Sequence, residues 1–404
     1  MSTSFVYHAL GLSDYEYVHQ KFSDGCVTIR VRPKWRLLRC PVCGSQEVRR
    51  RGVCLRKLRS LPVGRKPIWL LVEVPRVGCR ACGSVRRIHL GIAEPRCEYT
   101  RAFSRYVIEL SRVMTLKDIA VFLGVGWDCV KKIVKSNLAR RFRQPKLRHI
   151  RYLSIDEISI QKGHKYLTLV MDIDSGAVVF VGDGRGADAL EPFWPMLARS
   201  RARIQAVATD MSAAYISAVQ QNLPGVPLVF DHFHVVKLMN DTLTQVRRNL
   251  YNELKTTPNK KVLKGTRWIL LKNPENLSSE RNESARLQEA LQLNQPLATA
   301  YYLKEEFRQF WSQPDKETAR KVIESWVVRA QSSGIEPLVK LANTLSAIKF
   351  GILNWYDNPI SSGRMEGTNN KIKVLKRAAY GYRDREFFKL RILAIHEAKY
   401  ALTG

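Results

Sequence analysis

Three acidic residues and four cysteines stand in settings that could do chemistry. Asp156 falls in the middle of the strand-like run Tyr152-Leu-Ser-Ile-Asp-Glu-Ile-Ser-Ile160. Asp210 ends a second such run, Ile204-Gln-Ala-Val-Ala-Thr-Asp210, and Glu366 lies in the helical run 363–377. Carboxylates are the oxygen ligands that Mg²⁺ favours, and Mg²⁺ keeps positions open for substrate. Two Mg²⁺ about 3.5–4 Å apart would activate a water or a 3′-hydroxyl and stabilise the leaving oxygen of a phosphodiester. Mn²⁺ could take the same ligands. That chemistry requires carboxylates from separate elements to converge, and Asp156, Asp210 and Glu366 are the three that fit. A smaller or differently placed acid is easier to explain otherwise. Glu157 follows Asp156 on a strand and should face the opposite way. Asp172, Asp174 and Asp183 sit at hairpin ends as turn formers, Asp188 could cap a helix, and Glu324 reads as solvated.

The cysteines form two matched pairs, Cys40-Pro-Val-Cys43-Gly-Ser and Cys79-Arg-Ala-Cys82-Gly-Ser. Each is a knuckle whose two thiolates can reach one tetrahedral Zn²⁺, with glycine relieving the tight turn. The interval between them is longer than in a compact ribbon. It contains the strand-like stretch 67–74, which could form a hairpin that brings the knuckles together. Cys26, Cys54, Cys97 and Cys129 read as core thiols. Basic clusters surround the knuckles at Arg49-Arg50-Arg51, Arg56-Lys57, Arg65-Lys66 and Arg86-Arg87. With zinc they suggest a DNA-contacting surface, to which Arg56 and Lys57 are assigned.

The elements that must position these groups can be read from periodicity. Three strands (152–160, 165–173, 177–181) joined by an Asp174-Ser-Gly176 hairpin turn precede a helix over 187–200. The strand 204–210, a short helix from Ser212 and a last strand, Pro227–Phe230, follow and lead into Asp231-His-Phe-His234. Three antiparallel strands, a helix, a strand, a helix and a strand make the order of an RNase H-like domain. In 363–377, Met365, Thr368, Ile372, Leu375 and Ala379 form an apolar stripe. Glu366, Asn369, Asn370, Lys373 and Arg377 form the opposite face. That face would suit a metal site beside a phosphate backbone, and a plain solvated face fits the pattern equally well.

Between Asp210 and Glu366 lie far more residues than such a domain needs. The segment 236–350 is mostly helical by pattern, over 236–256, 279–292, 297–311 and 314–348, and reads as an α-helical insertion. Upstream, 116–133 fits a helix-turn-helix register, with Ala120 inside the first helix, Gly124 at the turn and Val125, Val130 and Ile133 as apolar anchors. Its second helix, about 127–138, would present Lys131, Lys132 and Lys135 to a major groove, supported by a helix over 102–113. A basic linker, 140–148, follows.

Charge agrees with these assignments. Among 404 residues, 67 are Lys or Arg and 36 Asp or Glu, a formal net charge of +31. Residues 1–150 carry +21 of that and the remainder +10. A polyanion bound through phosphate contacts is the expected partner. No stretch approaches the apolar length of a membrane span, and the first residues lack a secretory pattern. A reducing, cytoplasmic, nucleoid-associated setting follows, in which the cysteines are thiols or ligands.

The expected fold is α/β and multidomain. Its parts are a zinc module (1–97), a helix-turn-helix (98–149), an RNase H-like core (150–235 and 351–404) and the helical insertion (236–350).

The segments Ser154-Ile-Asp-Glu, Ala208-Thr-Asp-Met-Ser-Ala-Ala-Tyr215, Phe230-Asp-His-Phe-His-Val235 and Gly363-Arg-Met-Glu-Gly-Thr-Asn-Asn-Lys371 resemble the bacterial insertion-sequence transposases of the ISL-three family. The resemblance covers nearly the whole chain. It implies a DDE mechanism, with Asp156 as the metal-bridging carboxylate, Asp210 as the second and Glu366 as the third. It also implies that Asp231 and His234 assist strand handling, together with a tryptophan of the insertion. Trp326 is the first candidate for that tryptophan, with Trp311 and Trp355 behind it. The partner would be double-stranded DNA, with a homodimer pairing two ends. Two other readings stand beside this one: a zinc and helix-turn-helix regulator without catalysis, and an RNase H-superfamily nuclease that does not join strands.

Overall fold

The computed structural model describes residues 5–161, 163, 165–254 and 258–396. The ends of the expected domains at 1–4 and 397–404, and residues 255–256 of the expected helix 236–256, lie outside that set. The chain divides into two compact units. Among the described residues, one comprises the chain up to 143 with 378–390, and the other 144–377 with 391–396.

The first unit opens with the short helix α1 (Phe5–Leu10) and then builds a sheet that the sequence reading largely missed. Its strands are β1 (Tyr15–Ser23), β2 (Cys26–Pro33), β3 (Val48–Arg59), β4 (Ile68–Cys79) and β5 (Val85–Arg87). They lie in the order β1-β2-β4-β3, with β5 paired to β4. The expected stretch 67–74 is the first half of β4, and its hairpin partner is β3. Ile29, Val31, Leu58, Ile68, Leu70 and Val72 fill the core on one face. Glu73, itself buried, accepts from Arg30 Nε and Arg32 Nε, both at 2.9 Å.

Three helices follow in the same unit: α2 (Arg101–Leu110), α3 (Leu116–Leu123) and α4 (Trp127–Arg141). Thr100 and Thr115 cap the first two, accepting from the N–H groups of Phe103 and Asp118. Gly124 closes α3 in the left-handed conformation. Ala120, Val130 and Ile133 are buried where the helices cross, and Val125 is half-buried, as the register predicts. Arg59, at the end of β3, donates to the Leu123 carbonyl at 2.8 Å and so ties the sheet to the end of α3.

The second unit holds a sheet of β6 (Tyr152–Gln161), β7 (Lys165–Asp172), β8 (Val178–Asp183), β9 (Ala206–Thr209) and β10 (Leu228–Phe230). The order is β10-β9-β6-β7-β8. β6, β7 and β8 are antiparallel, whereas β9 and β10 run parallel to β6 and to each other. This is the RNase H-like arrangement. Helices α5 (Phe193–Ser200) and α6 (Ala213–Asn222) join the strands. The helix expected over 187–200 is interrupted: 187–190 is a 3-10 turn, and α5 begins after Pro192.

Among the described residues, seven α-helices separate β10 from the last part of this unit: α7 (His232–Glu253), α8 (Pro258–Leu263), α9 (Arg267–Leu271), α10 (Glu283–Gln292), α11 (Gln295–Arg308), α12 (Lys316–Ser332) and α13 (Glu336–Leu353). They share one apolar core that also takes in Phe230. The run expected as one helix over 314–348 is two, because Gly334 takes a left-handed φ of +65° and Pro337 restarts the chain as α13. Neither expected edge of the insertion is a break: α7 starts at His232 and α13 runs through residue 350. Then comes α14 (Gly363–Ala378), and α15 (Arg385–Leu393) follows, most of it in the 378–390 stretch that belongs to the first unit.

Candidate active site and zinc centre

The strand register sets the acidic site. Ile155 of β6 pairs with Thr209 of β9, and Thr209 pairs with Phe230 of β10. Asp156, Asp210 and Asp231 each follow one of these three residues. They therefore stand side by side, Asp210 and Asp231 just past the carboxyl ends of β9 and β10 and Asp156 level with them in the middle of β6, on the edge where open α/β sheets bind ligands. Burial pushes the Asp156 carboxyl up. Hydrogen bonds from the Glu157 N–H and Asn369 oppose that shift, as does the charge of His234, while the Asp210 charge adds to it. The Glu157 N–H donates to Asp156 Oδ1 at 2.7 Å, and the Ser212 N–H donates to Asp210 Oδ1 at 3.0 Å.

Glu157 was expected to face away from this site. Its carboxyl is pushed up by burial first and by the Asp210 charge second, so it remains within electrostatic reach of it.

Asp231 is buried, and its carboxyl is held low against the effect of that burial. His234 and Ser362 both bond it. Asp231 Oδ2 lies 3.2 Å from His234 Nδ1. That contact raises the His234 pKa, with further help from the Asp156 and Asp210 charges. Ser362 precedes α14, and its carbonyl accepts from the N–H groups of Met365 and Glu366 at 2.7 and 3.1 Å. Asp231 thus anchors the start of the helix that carries Glu366.

On α14, Met365, Thr368 and Ile372 are buried, Leu375 is half-buried and Ala379 is exposed, so the predicted apolar stripe fades toward its end. Glu366, Asn370, Lys373 and Arg377 are exposed. Asn369, expected at DNA, instead turns inward and donates from Nδ2 to Asp156 Oδ2 at 2.7 Å. Glu366 sits one turn before Asn369 on the same face. Among the described residues, only the zinc-type cysteines gather three or more ligand atoms within 4.8 Å of one another. Asp156, Asp210 and Glu366 do not meet that distance together, and Glu366 is exposed near the start of α14.

Trp326 is not available to DNA. It is fully buried in the helical core, donates from Nε1 to the Leu303 carbonyl at 2.8 Å, and packs 5.2 Å from the Phe307 ring. Trp311 is half-buried, with the His232 ring 4.4 Å and the Trp355 ring 5.5 Å from its own. His232 adjoins Asp231 in sequence, so this aromatic group is the one that borders the acidic residues.

The four cysteines converge. Cys40 and Cys43 precede β3, Cys79 and Cys82 flank the end of β4, and Val48 pairs with Cys79. Their sulfurs all lie within 4.8 Å of one another, with Cys40 to Cys82 and Cys43 to Cys79 each 3.6 Å. The two knuckles share one backbone pattern. Cys40 N–H donates to Ser45 O and Cys79 N–H to Ser84 O, and Gly44 and Gly83 close the turns at φ +78° and +68°. The Ser84 hydroxyl lies 3.3 Å from Cys40 Sγ and 3.1 Å from Cys82 Sγ. Its hydrogen bond, with backbone N–H groups, lowers the Cys40 thiol to about 6. A four-thiolate set this tight fits a closed structural zinc site. Ser84 was missed as a supporting residue, although the repeated Cys-Gly-Ser ending carried the signal.

The basic residues have mixed fates. Lys132 and Lys57 are exposed, and Lys57 lies 4.5 Å from the Trp69 ring. Arg56 is spent internally, donating to the Glu94 and Cys97 carbonyls. Lys131 and Lys135 reach Asp384 at 2.9 and 3.1 Å, and Lys135 also meets Glu386 at 3.1 Å. A nearby acid therefore engages two of the three lysines assigned to a groove.

No helix among the described residues is long and apolar enough to cross a membrane.

Comparison with known proteins converges on one group. Residues 153–392 match a family described as transposase of the ISL3 type. Residues 36–82 match the zinc finger of the IS204/IS1001/IS1096/IS1165 transposases, and 88–136 the helix-turn-helix domain of transposase family ISL3. The transposase for insertion sequence element IS1001 from Bordetella parapertussis is 34% identical over 371 residues, 91% of either chain. The IS1557 transposase of Mycobacterium tuberculosis is 31% identical over 399 residues, 92% of this chain and 89% of that one. A Drosophila P element transposase strand transfer complex aligns with 75% of this chain and 92% of that one, at 11% identity and a TM-score of 0.36. That likeness is too distant to carry weight. The match over 153–392 removes the reading of a regulator without a catalytic domain. With every match falling in its expected order along the chain, and relatives aligned nearly end to end, the protein belongs to the ISL3 family of insertion-sequence transposases.

Proposed function

We propose that Asp156, Asp210 and Glu366 are the acidic triad of a DDE strand-transfer reaction on transposon ends. The observation that carries this is the alignment of Asp156 and Asp210 on neighbouring parallel strands, with α14 brought to Asp156 by Asn369. The residues fit hard divalent cations. The donors are carboxylate oxygens, and the buried Asn369 Oδ1 has no partner in the protein. Two Mg²⁺ held by the triad, or Mn²⁺ in their place, would polarise the scissile phosphate and lower the pKa of the attacking hydroxyl.

The chain's own groups do the rest. His234, kept basic by Asp231, presents positive charge beside the carboxylates, suited to a phosphate or a displaced strand. Lys373 and Arg377 on α14 and Lys132 on α4 contact the phosphate backbone. Trp311, in place of Trp326, supplies the aromatic face for strand handling. The working particle is a homodimer that holds two ends. The organisation is that of a zinc module (1–97), a helix-turn-helix (98–149) and a catalytic core interrupted at 236–350.

The test is cleavage and joining of labelled end DNA with Mg²⁺. Wild type should cut and join, while Asp156→Ala and Glu366→Ala should bind the ends and do neither. If the variants cut as wild type does, the triad is wrong. If wild type cuts but never joins, the protein acts as a nuclease.

A further inference from the structure

We propose that Asn369 is a positioning residue for the metal site: it fixes the Asp156 carboxylate with one side of its amide and receives the metal's hydration shell with the other. The inference rests on the triad reading above and adds a fourth group to it.

Three observations support it. Asn369 Nδ2 is 2.7 Å from Asp156 Oδ2, a direct hydrogen bond from α14 to the acidic residue of β6. The orientation of the amide follows from charge. Turned over, its oxygen would face the carboxylate oxygen, acceptor against acceptor. The other end, Oδ1, is then buried and has no donor from the protein. Buried acceptors without partners are costly and uncommon, and at functional sites they mark where an unseen water or ion belongs. An amide oxygen beside a carboxylate is also what hard cations and their waters accept as neighbours.

The helix accounts for the pairing of roles. Glu366 and Asn369 are three residues apart and share a face, so one rigid element presents both an acid and an amide. Thr368 is buried behind them, its Oγ1 donating to the Arg364 carbonyl at 2.9 Å. Asn370, the adjacent amide, lies about 100° further round the helix and is exposed. The two asparagines therefore have different surroundings. Asp156 Oδ1 is already held by the Glu157 N–H. With Oδ2 held by Asn369, the carboxylate has one orientation, and each oxygen keeps a lone pair for a cation. Groups that orient ligands in this way change metal affinity by about 10- to 100-fold when removed.

The test is a titration of the zinc-loaded, full-length protein with Mn²⁺ in the absence of DNA, counting free Mn²⁺ by electron paramagnetic resonance. Asn369→Ala and Asn369→Leu should both weaken Mn²⁺ binding by about tenfold or more, while end binding in a gel shift stays at the wild-type level. Asn369→Leu keeps the side-chain volume, so the reading survives if the alanine variant folds poorly. Wild-type Mn²⁺ affinity in both variants overturns the proposal, whether DNA binding falls (a DNA contact) or only the melting temperature does (a structural amide). Asp156→Ala in the same titration separates the two levels of the argument. If it leaves Mn²⁺ affinity intact, the triad reading fails, whatever the Asn369 variants do.

Discussion

The Phe230 ring occupies the space that a side chain at Gly351 would need. A Cβ built on Gly351 would stand 2.3 Å from Phe230 Cε2 and 2.4 Å from Cδ2. Phe230 is the last residue of β10 and the one before Asp231, so helix α13 rests directly on the strand end that presents Asp231. Asn354 at the end of α13 adds a hydrogen bond from Nδ2 to the Leu228 carbonyl at 3.0 Å. Gly351→Ala must push ring and helix apart, at a cost of about 1–3 kcal/mol as for other overpacked cores. Urea unfolding should show that loss, and end cleavage should fall by more than end binding because Asp231 shifts with the strand.

The pairing of Asp384 with Lys131 and Lys135 sets two expectations. The Phe387 N–H and the two lysines hold the Asp384 carboxyl down to about 2. A carboxyl depressed in the folded state stabilises the fold at pH above its ordinary value near 4, and the contribution disappears as pH falls toward 2. Asp384→Asn should therefore flatten the acid limb of the stability curve between about pH 4 and 2, and cost about 1–2 kcal/mol at neutral pH. The same change frees Lys131, while Lys135 keeps Glu386 as a partner. Binding of end DNA should then tighten at low salt, and the slope of log affinity against log salt should steepen by about 1. A slope that stays put would mean Lys131 does not reach phosphate.

Metal analysis of the purified protein should give one zinc per chain. Cys40→Ser should lose it, and chelation of the wild type should lower the melting temperature of the N-terminal part by about 10 °C or more, as structural zinc sites do. Because Arg59 at the end of β3 holds the Leu123 carbonyl, end binding should weaken as well. Ser84→Ala should retain zinc with reduced affinity, measured by competition with a chromogenic chelator.

The tryptophans separate by burial. Trp326→Ala should cost about 3–5 kcal/mol, the range for deleting a large core aromatic, and lower all activities in step with the folded fraction. Trp311→Ala should cost less and reduce strand transfer out of proportion to stability. Equal effects from the two variants would show that Trp311, too, is only a packing residue.

What could be read from the sequence followed the strength of local patterns. The β6 to β10 order was legible because each strand is a short apolar run closed by a turn or a carboxylate. Gly124 marked the turn of the helix-turn-helix through its chain-reversal chemistry, with Ala120, Val130 and Ile133 as the apolar anchors on either side. The zinc ligands were legible because two identical knuckles repeat. The sheet strands β1 to β3 were not, because β3 is an edge strand with arginines on both faces and shows no clean alternation. Trp326 was misplaced because a tryptophan in an amphipathic helix gives no hint of which way it turns, and the helical core of 232–353 is defined only by tertiary packing. Lys131 and Lys135 were expected to face a groove from α4, and both instead meet Asp384. Their partner lies about 250 residues away and leaves no local trace. Asn369 was assigned to the polar face of α14 with Glu366 and Lys373, and spacing alone could not reveal that it turns inward to Asp156.

The long interval between Asp210 and Glu366 also affects how the protein is made. A chain leaves the ribosome amino end first and its parts fold in that order. The four cysteines and helices α2 to α4 emerge well before α14, which carries Glu366 and Asn369. A product cut short within α12 or α13, by a stop codon or a protease, would keep the zinc ligands and the helix-turn-helix yet lack the third acid. Such a fragment could occupy an element's ends without cutting them. An ageing, decaying copy of the element would then act as a brake on its intact siblings.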